Sequence, residues 1–140
     1  MQDGIPLESD WIGFPTLYAM PLTQGIADVQ LIRGGSSLLY GPEPAPVINM
    51  VSKRPKPGAP FSISTEQVVG SHGLYSTYNV LEGSAGKWTW RADAGYVRSD
   101  GTRQNAQSQM RQADLYVEYR PDDKQHWWLD LHAIDADSGD

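Results

Sequence analysis

Residues 32–55 decide the fold of the first part of the chain: residues 32–41 read IRGGSSLLYG, residues 42–46 read PEPAP, and residues 47–55 read VINMVSKRP. Glycine and proline divide this stretch, and each favours a turn for its own backbone reason. Short apolar segments bounded by such residues predict short strands linked by turns.

The composition of the chain changes near residue 57. Proline is frequent before this point and nearly vanishes after it, and residues 53–60 read KRPKPGAP. This run is predicted as a basic, extended linker, because each proline removes an amide donor and disfavours helix in the preceding residue. We therefore expect two parts, residues 1–57 and residues 58–140.

After the linker the sequence predicts about five strands of near ~9–11 residues, the length of a tilted membrane strand. They are 61–69, 74–82, 87–98, 109–120 and 125–135. In the third, one face carries Trp88, Trp90, Ala92, Ala94 and Tyr96, and the other is mostly polar. This period of two excludes a helix, and the apolar face spans about 26 Å along the strand. The run 135–140 is predicted as an acidic loop.

The fourth and fifth predicted strands have the same two-sided pattern. Their apolar faces carry Ala113, Leu115, Val117 and Tyr119, and Trp127, Leu129, Leu131 and Ala133. Charged residues on the opposite faces would be costly in a dry core but suit a hydrated lumen. The pattern favours a mainly β fold of antiparallel strands, and the charged faces are compatible with the first strands of a transmembrane β-barrel. Its membrane girdle would be Trp88, Trp90, Tyr96, Tyr119 and Trp127. Alternation alone would favour a soluble antiparallel sandwich. The placement of these aromatic residues narrows the difference, and the motifs of residues 1–57 reverse the preference.

Connection lengths give an orientation. If the linker arrives on the periplasmic side, the short turns 83–86 and 121–124 lie there and the longer connection 99–108 lies outside. Short periplasmic turns and longer external loops are typical of membrane barrels.

Composition excludes several classes of protein. The chain has 140 residues with 17 acidic and 11 basic side chains, and its net charge of −6 argues against a nucleic-acid partner. It has no cysteine, so disulfides and thiolate metal sites are excluded. No apolar run reaches the ~20 residues of a membrane helix. Residues 1–3 do not begin a secretory signal, and we expect the chain to be a fragment of a longer protein.

In their residues and in their order along the chain, the motifs of residues 32–55 resemble the end of the plug domain of TonB-dependent outer-membrane receptors. That family has an arginine-glycine turn, a Leu-Tyr-Gly turn and an Ile-Asn-hydrophobic-Ser/Thr-Lys-Arg strand in this order. Residues 3–7 (DGIPL) resemble its Asp-Gly-hydrophobic-Pro strand, and residues 26–32 resemble the strand that leads into the arginine, so a strand is predicted there. The resemblance implies that 1–57 is the C-terminal part of a plug domain and that 58–140 holds the first barrel strands. The prolines at 42, 44 and 46 depart from the glycines usual in the family and are similar to some ferric-citrate-type receptors.

The resemblance also implies roles for individual residues. Arg33 and Arg54 would make polar contacts between plug and barrel, with carboxylate partners on later strands that this chain does not contain. The candidate ligand contacts are Tyr40, Trp11, Tyr18, Glu8 and Ser9.

The implied function is energised import of a ferric siderophore or ferric citrate across the bacterial outer membrane. The partners would be outer-membrane lipid and the TonB-ExbB-ExbD complex, which acts on a segment upstream of this chain. A receptor for another cargo, such as cobalamin or a glycan, and a soluble all-β binding module are the alternatives. We expect no enzyme, catalytic residue, cofactor or metal site, because His72, His126 and His132 fall in no catalytic or ligand motif.

Overall fold

The computed structural model describes residues 1–7, 20–34, 39 and 46–139. The described chain is mainly β, its sheets are antiparallel, and it divides into two compact units, Met1–Lys53 and Arg54–Asp140. No helix in the described ranges is long and apolar enough to cross a membrane.

The first unit contains a two-stranded antiparallel sheet of β1 (Ile26–Ile32) and β2 (Val47–Ser52), which follows a single 3-10 turn at Thr23–Gly25. Ile32, the last residue of β1, pairs with Val47, the first residue of β2, and the pairing continues to Ile26 and Ser52. The predicted strand 26–32 is confirmed.

The Asp-Gly segment at the start of the chain is a turn rather than the predicted strand. Gln2 and Ile5 pair across Asp3 and Gly4, whose φ angles are 49° and 82°. Two successive positive φ angles are typical of a two-residue hairpin turn, and Asp-Gly is a favoured sequence for it. Gln2 also bridges to Met50, which places this turn beside β2.

Asn49, the asparagine of the Ile-Asn motif, ties the turn to both strands. Its side-chain oxygen accepts a hydrogen bond from the Gly4 amide at 3.0 Å, and its nitrogen donates to the Gln30 side chain at 3.1 Å. The side chain is buried, so these bonds satisfy a polar group that would otherwise be costly.

The second unit is a five-stranded antiparallel sheet in which each strand pairs with its sequence neighbours. The strands are β3 (Ser62–Val69), β4 (Tyr75–Ala85), β5 (Trp88–Ser99), β6 (Ser108–Asp122) and β7 (Gln125–Ser138). All five predicted strands are confirmed. The predicted acidic loop is wrong, because β7 continues to Ser138 beside β6, where Asp137 pairs with Gln109.

Short turns lie at the end of the sheet where the linker enters β3. Gly86 begins the β4–β5 turn with a φ of 59°, which glycine adopts at little cost. The β6–β7 turn is held by Asp122, whose carboxylate accepts from the amides of Lys124 and Gln125 at 2.8 and 2.9 Å. This is an Asx turn. The longer 100–107 connection lies at the opposite end, as expected.

Candidate functional site

The register of the second unit sorts its side chains onto two chemically different faces. On the first, which we call the belt face, successive rows across β5, β6 and β7 are Trp88–Tyr119–Trp127, Trp90–Val117–Leu129, Ala92–Leu115–Leu131 and Ala94–Ala113–Ala133. The predicted apolar faces of three separate strands therefore form one continuous surface. The next row is Tyr96–Arg111–Asp135, so the apolar surface ends there on β6 and β7.

Aromatic side chains border the belt face at the end that carries the short turns. The rings of Trp88 and Tyr119 stack with centroids 4.4 Å apart. Trp88 is 49% exposed and Trp127 is 65% exposed, so neither indole is buried in a core. Trp90 is half-buried because its ring lies over Gly83, where an added Cβ would be 3.1 Å from the indole.

The belt face is less apolar on the first two strands of the sheet. There, Thr65 donates to Asn79 at 2.8 Å, and Gln67 donates to Thr77 at 2.6 Å. These four side chains satisfy one another, which lowers the cost of placing them beside apolar neighbours. Ile63 and Leu81 continue the apolar surface in the row of Ala92.

The opposite face, which we call the polar face, carries two networks of charged side chains. In the first, Arg91 donates to Asp93 at 3.0 Å and to Glu82 at 2.6 Å, and the Tyr78 hydroxyl donates to Asp93 at 2.6 Å. The side chains of Arg91 and Asp93 are 8% and 6% exposed. Each buried charge therefore has an opposite charge and a hydrogen bond, as a stable buried ion requires.

The second network is centred on His132. Its Nδ1 lies 2.6 Å from Asp114 Oδ1, and its Nε2 lies 3.1 Å from Asp130 Oδ1. Asp130 also pairs with Arg54, whose guanidinium lies 4.1 Å from the centre of the Tyr116 ring. The network therefore joins the linker to β6 and β7.

The two networks meet where Asp93 and Asp114 lie directly opposite each other on β5 and β6. Their carboxylate oxygens accept from Tyr78 and Arg91 on one side and from Gln112 and His132 on the other. Asp93 is buried and Asp114 is partly buried, and the donors that each has offset the cost of placing two acids side by side.

Glu118 connects the turn end of the polar face to these networks. It accepts a hydrogen bond from Tyr116 at 2.8 Å and pairs with Arg120, and His126 Nε2 lies 3.3 Å away. Trp128 lies opposite Glu118 on the same face and is exposed. An exposed indole among charges is an exception to the alternation of β7.

The structure brings some of the sequence-predicted residues together. All five predicted girdle residues lie on the belt face: Trp88, Trp90, Tyr96, Tyr119 and Trp127. The expectation that Arg54 would have its carboxylate only on strands outside this chain is wrong, because Asp130 of β7 is its partner. Arg33 follows β1 and is exposed. The candidate ligand contacts Tyr40, Trp11, Tyr18, Glu8 and Ser9 lie outside the described residues.

Sequence reasoning missed the partners within the polar networks. The period-two alternation predicts that Asp93, Asp114 and His132 lie on the polar side of their strands. It does not predict which charged side chain of a neighbouring strand each one contacts. The available signal was the short β4–β5 turn, because a turn fixes the register of the strands that it joins, and this register places Glu82 opposite Arg91.

No protein-family model matches this chain, and no curated protein matches its sequence significantly. The two faces of the sheet and the motifs of the first unit are therefore the features that bear on function.

Proposed function

We propose that this chain is part of a TonB-dependent outer-membrane receptor that imports a ferric chelate, either a siderophore or ferric citrate. Residues 1–57 would be the C-terminal part of its plug domain, and residues 58–140 the first strands of its transmembrane barrel. The order of the motifs in residues 3–55 supports the first half of this proposal. The sheet of the second unit supports the other half.

The observation that carries the proposal is the contrast between the two faces of that sheet. From the row of Trp88 to that of Tyr96 the belt face is about 26 Å long along the strands, or roughly 20 Å in height at a ~40° tilt, which is close to the ~25 Å apolar band of a membrane barrel. Exposed indoles at its border fit a membrane interface, where amphipathic rings lie at the headgroup level. A soluble sandwich would instead bury Trp88 and Trp127, which are exposed here.

The polar face fits the inner wall of such a barrel. A lumen accommodates polar side chains that hydrocarbon would exclude, and the buried charges of this face, such as Arg91 and Asp93, are paired with each other. Among the described residues, β3 and β7 each have one unpaired edge, and a barrel needs further strands to close. We propose that the longer protein supplies these strands.

The chemistry of this function is binding and gating rather than bond making. The chelate would bind between the plug loops and the external loops, with Tyr40, Trp11, Tyr18, Glu8 and Ser9 as proposed contacts. The TonB-ExbB-ExbD complex would then use the proton-motive force to displace the plug. Arg54 and Arg33 are proposed contacts between the plug and the barrel.

A pair of arginine substitutions tests the membrane half of the proposal. Leu131 lies in the middle row of the belt face and is 51% exposed, whereas Ile134 lies on the polar face opposite Gln112. Leu131→Arg would place a cation in hydrocarbon and cost about 2–4 kcal/mol. Ile134→Arg would face a hydrated lumen and cost little. Both are measured as reversible unfolding of the full-length protein in lipid vesicles.

The result for a soluble protein would be different. An exposed leucine facing water tolerates arginine, so an unchanged free energy of unfolding for Leu131→Arg would contradict the proposal. Recovery of the wild-type protein in the aqueous fraction rather than with washed outer membranes would contradict it as well.

Growth under iron limitation tests the cargo. A strain lacking the gene should lose growth on one ferric chelate and regain it with the wild-type gene. Unchanged growth on every ferric siderophore and on ferric citrate, with a defect on cobalamin or a glycan, would support the alternative cargo instead.

A further inference from the structure

A cleft of ≈ 370 Å³ lies at the end of the sheet opposite the linker, beyond the aromatic ring of Tyr96. The last residues of β5, the first of β6 and the last of β7 form it. Two rows of the sheet supply most of its lining: Arg98, Gln109 and Asp137 in one, and Ser99, Ser108 and Ser138 in the other. Neither the transport proposal nor the charged networks use these side chains.

The larger polar side chains of the cleft are available to a ligand. Among the described residues, the side chains of Arg98, Gln109 and Asp137 make no hydrogen bond or ion pair with the protein. Arg98 and Asp137 lie on the two sides of Gln109, about 10 Å apart at two strand spacings. A ligand between them would meet a donor at one end, an acceptor at the other and an amide in the middle.

The lining excludes two other ligand classes. Its charged residues are Arg98, Asp100 and Asp137, so the cleft is not cationic and does not favour phosphate or an anionic ferric chelate. The lining residues that the structure describes include no Leu, Ile, Val, Met or Phe, so an acyl chain has no apolar surface to contact there. A neutral ligand with many hydroxyl groups matches the remaining chemistry.

Backbone contacts hold the rim of the cleft in place. The Gly139 amide donates to the Gln107 carbonyl at 2.8 Å, and the Asp100 amide donates to the His72 carbonyl at 2.8 Å. The Tyr96 ring is flanked by the ring of Tyr75 at 6.3 Å and by the guanidinium of Arg111 at 5.9 Å. A preformed rim loses little conformational entropy when a ligand binds.

We propose that this cleft is a binding site for a small saccharide. The guanidinium, carboxylate and amide groups of the Arg98 row bond adjacent hydroxyls, and Tyr96, which lies on the same face of the sheet, offers a ring to the C–H face of the sugar. A volume near the lower end of the usual ~300–1,000 Å³ for ligand pockets suits a small saccharide. The cleft adjoins the belt face, so the two sources of such a saccharide are the free sugar and the headgroup of a glycolipid.

Binding to the full-length protein tests this inference. The protein is purified in lauryldimethylamine oxide, a detergent without a sugar, and titrated with maltose, galactose, N-acetylglucosamine and rhamnose by saturation-transfer NMR. At least one sugar should bind saturably, and Arg98→Ala and Asp137→Asn should each weaken its binding about tenfold, since each removes a charge-assisted hydrogen bond.

A second titration, with the dodecyl glycoside of the sugar that binds, distinguishes the two sources. Equal affinity indicates the free saccharide, and tighter binding of the glycoside indicates a glycolipid.

Arg103→Ala is the matched control, because Arg103 is an exposed arginine of the neighbouring loop that does not line the cleft. Saturable binding of none of the four sugars would overturn the inference. Undiminished binding in both variants, or tighter binding of citrate or phosphate than of any sugar, would overturn it as well. Ferric-chelate uptake by Arg98→Ala and Asp137→Asn should remain normal, so failure of this site and failure of the transport proposal give different results.

Discussion

Replacing Arg91 with methionine should destabilise the protein by about 3 kcal/mol. Arg91 bridges Asp93 and Glu82, but the two pairs differ in burial, because the Glu82 side chain is 32% exposed whereas that of Asp93 is only 6% exposed. The exposed pair contributes at most ~1 kcal/mol. Breaking a buried pair costs about 3–5 kcal/mol because it leaves an uncompensated charge, and the remaining bond from Tyr78 to Asp93 keeps the loss near the low end.

Urea unfolding of the full-length protein in micelles, followed by tryptophan fluorescence, measures this cost. Adding Asp93→Asn to Arg91→Met removes the orphaned charge, so the double variant should recover most of the lost stability. Arg103→Met in the exposed loop is the control and should change stability by less than ~0.5 kcal/mol. A loss below ~1 kcal/mol for Arg91→Met, or no recovery in the double variant, would refute the account of the network.

Two further predictions concern contacts at the linker and at the girdle. Arg54→Ala removes the ion pair with Asp130 and the stack on Tyr116, and it should cost about 1–2 kcal/mol in the same unfolding assay. Arg54→Lys should not restore this loss, because lysine lacks the planar group that stacks on a ring, and equal stability of the two variants with wild type would contradict the contact. Trp88 and Tyr119 should show a coupling energy of about 0.5–1.5 kcal/mol in a double-mutant cycle of alanine variants, and a value near zero would be inconsistent with stacking.

The faces of the strands could be predicted because the pleat is a local property. Trp88, Trp90 and Tyr96 alternate with polar residues within one strand, and a period of two fixes their common face without any tertiary information. The same reasoning placed Leu129 and Leu131 together.

The partners of the charged residues could not be predicted in the same way. That Asp114 lies beside His132 depends on the register between β6 and β7, which the bulge between Tyr119 and Asp122 shifts. Arg54 lies in an extended linker whose path no local pattern defines, so its contact with Asp130 was missed. The Asp3–Gly4 turn was predicted as a strand because the motif resemblance outweighed the turn chemistry of Asp-Gly.

The central claim is that the belt face contacts hydrocarbon while the polar face contacts water. The chain has no cysteine, so single substitutions to cysteine can carry a spin label at one position of β7 at a time. In the full-length protein in lipid vesicles, labels at 129, 131 and 133 should be accessible to oxygen, and labels at 130, 132 and 134 to an aqueous nickel complex. Accessibility to the nickel complex at 129, 131 and 133, or an absence of alternation along β7, would contradict the claim.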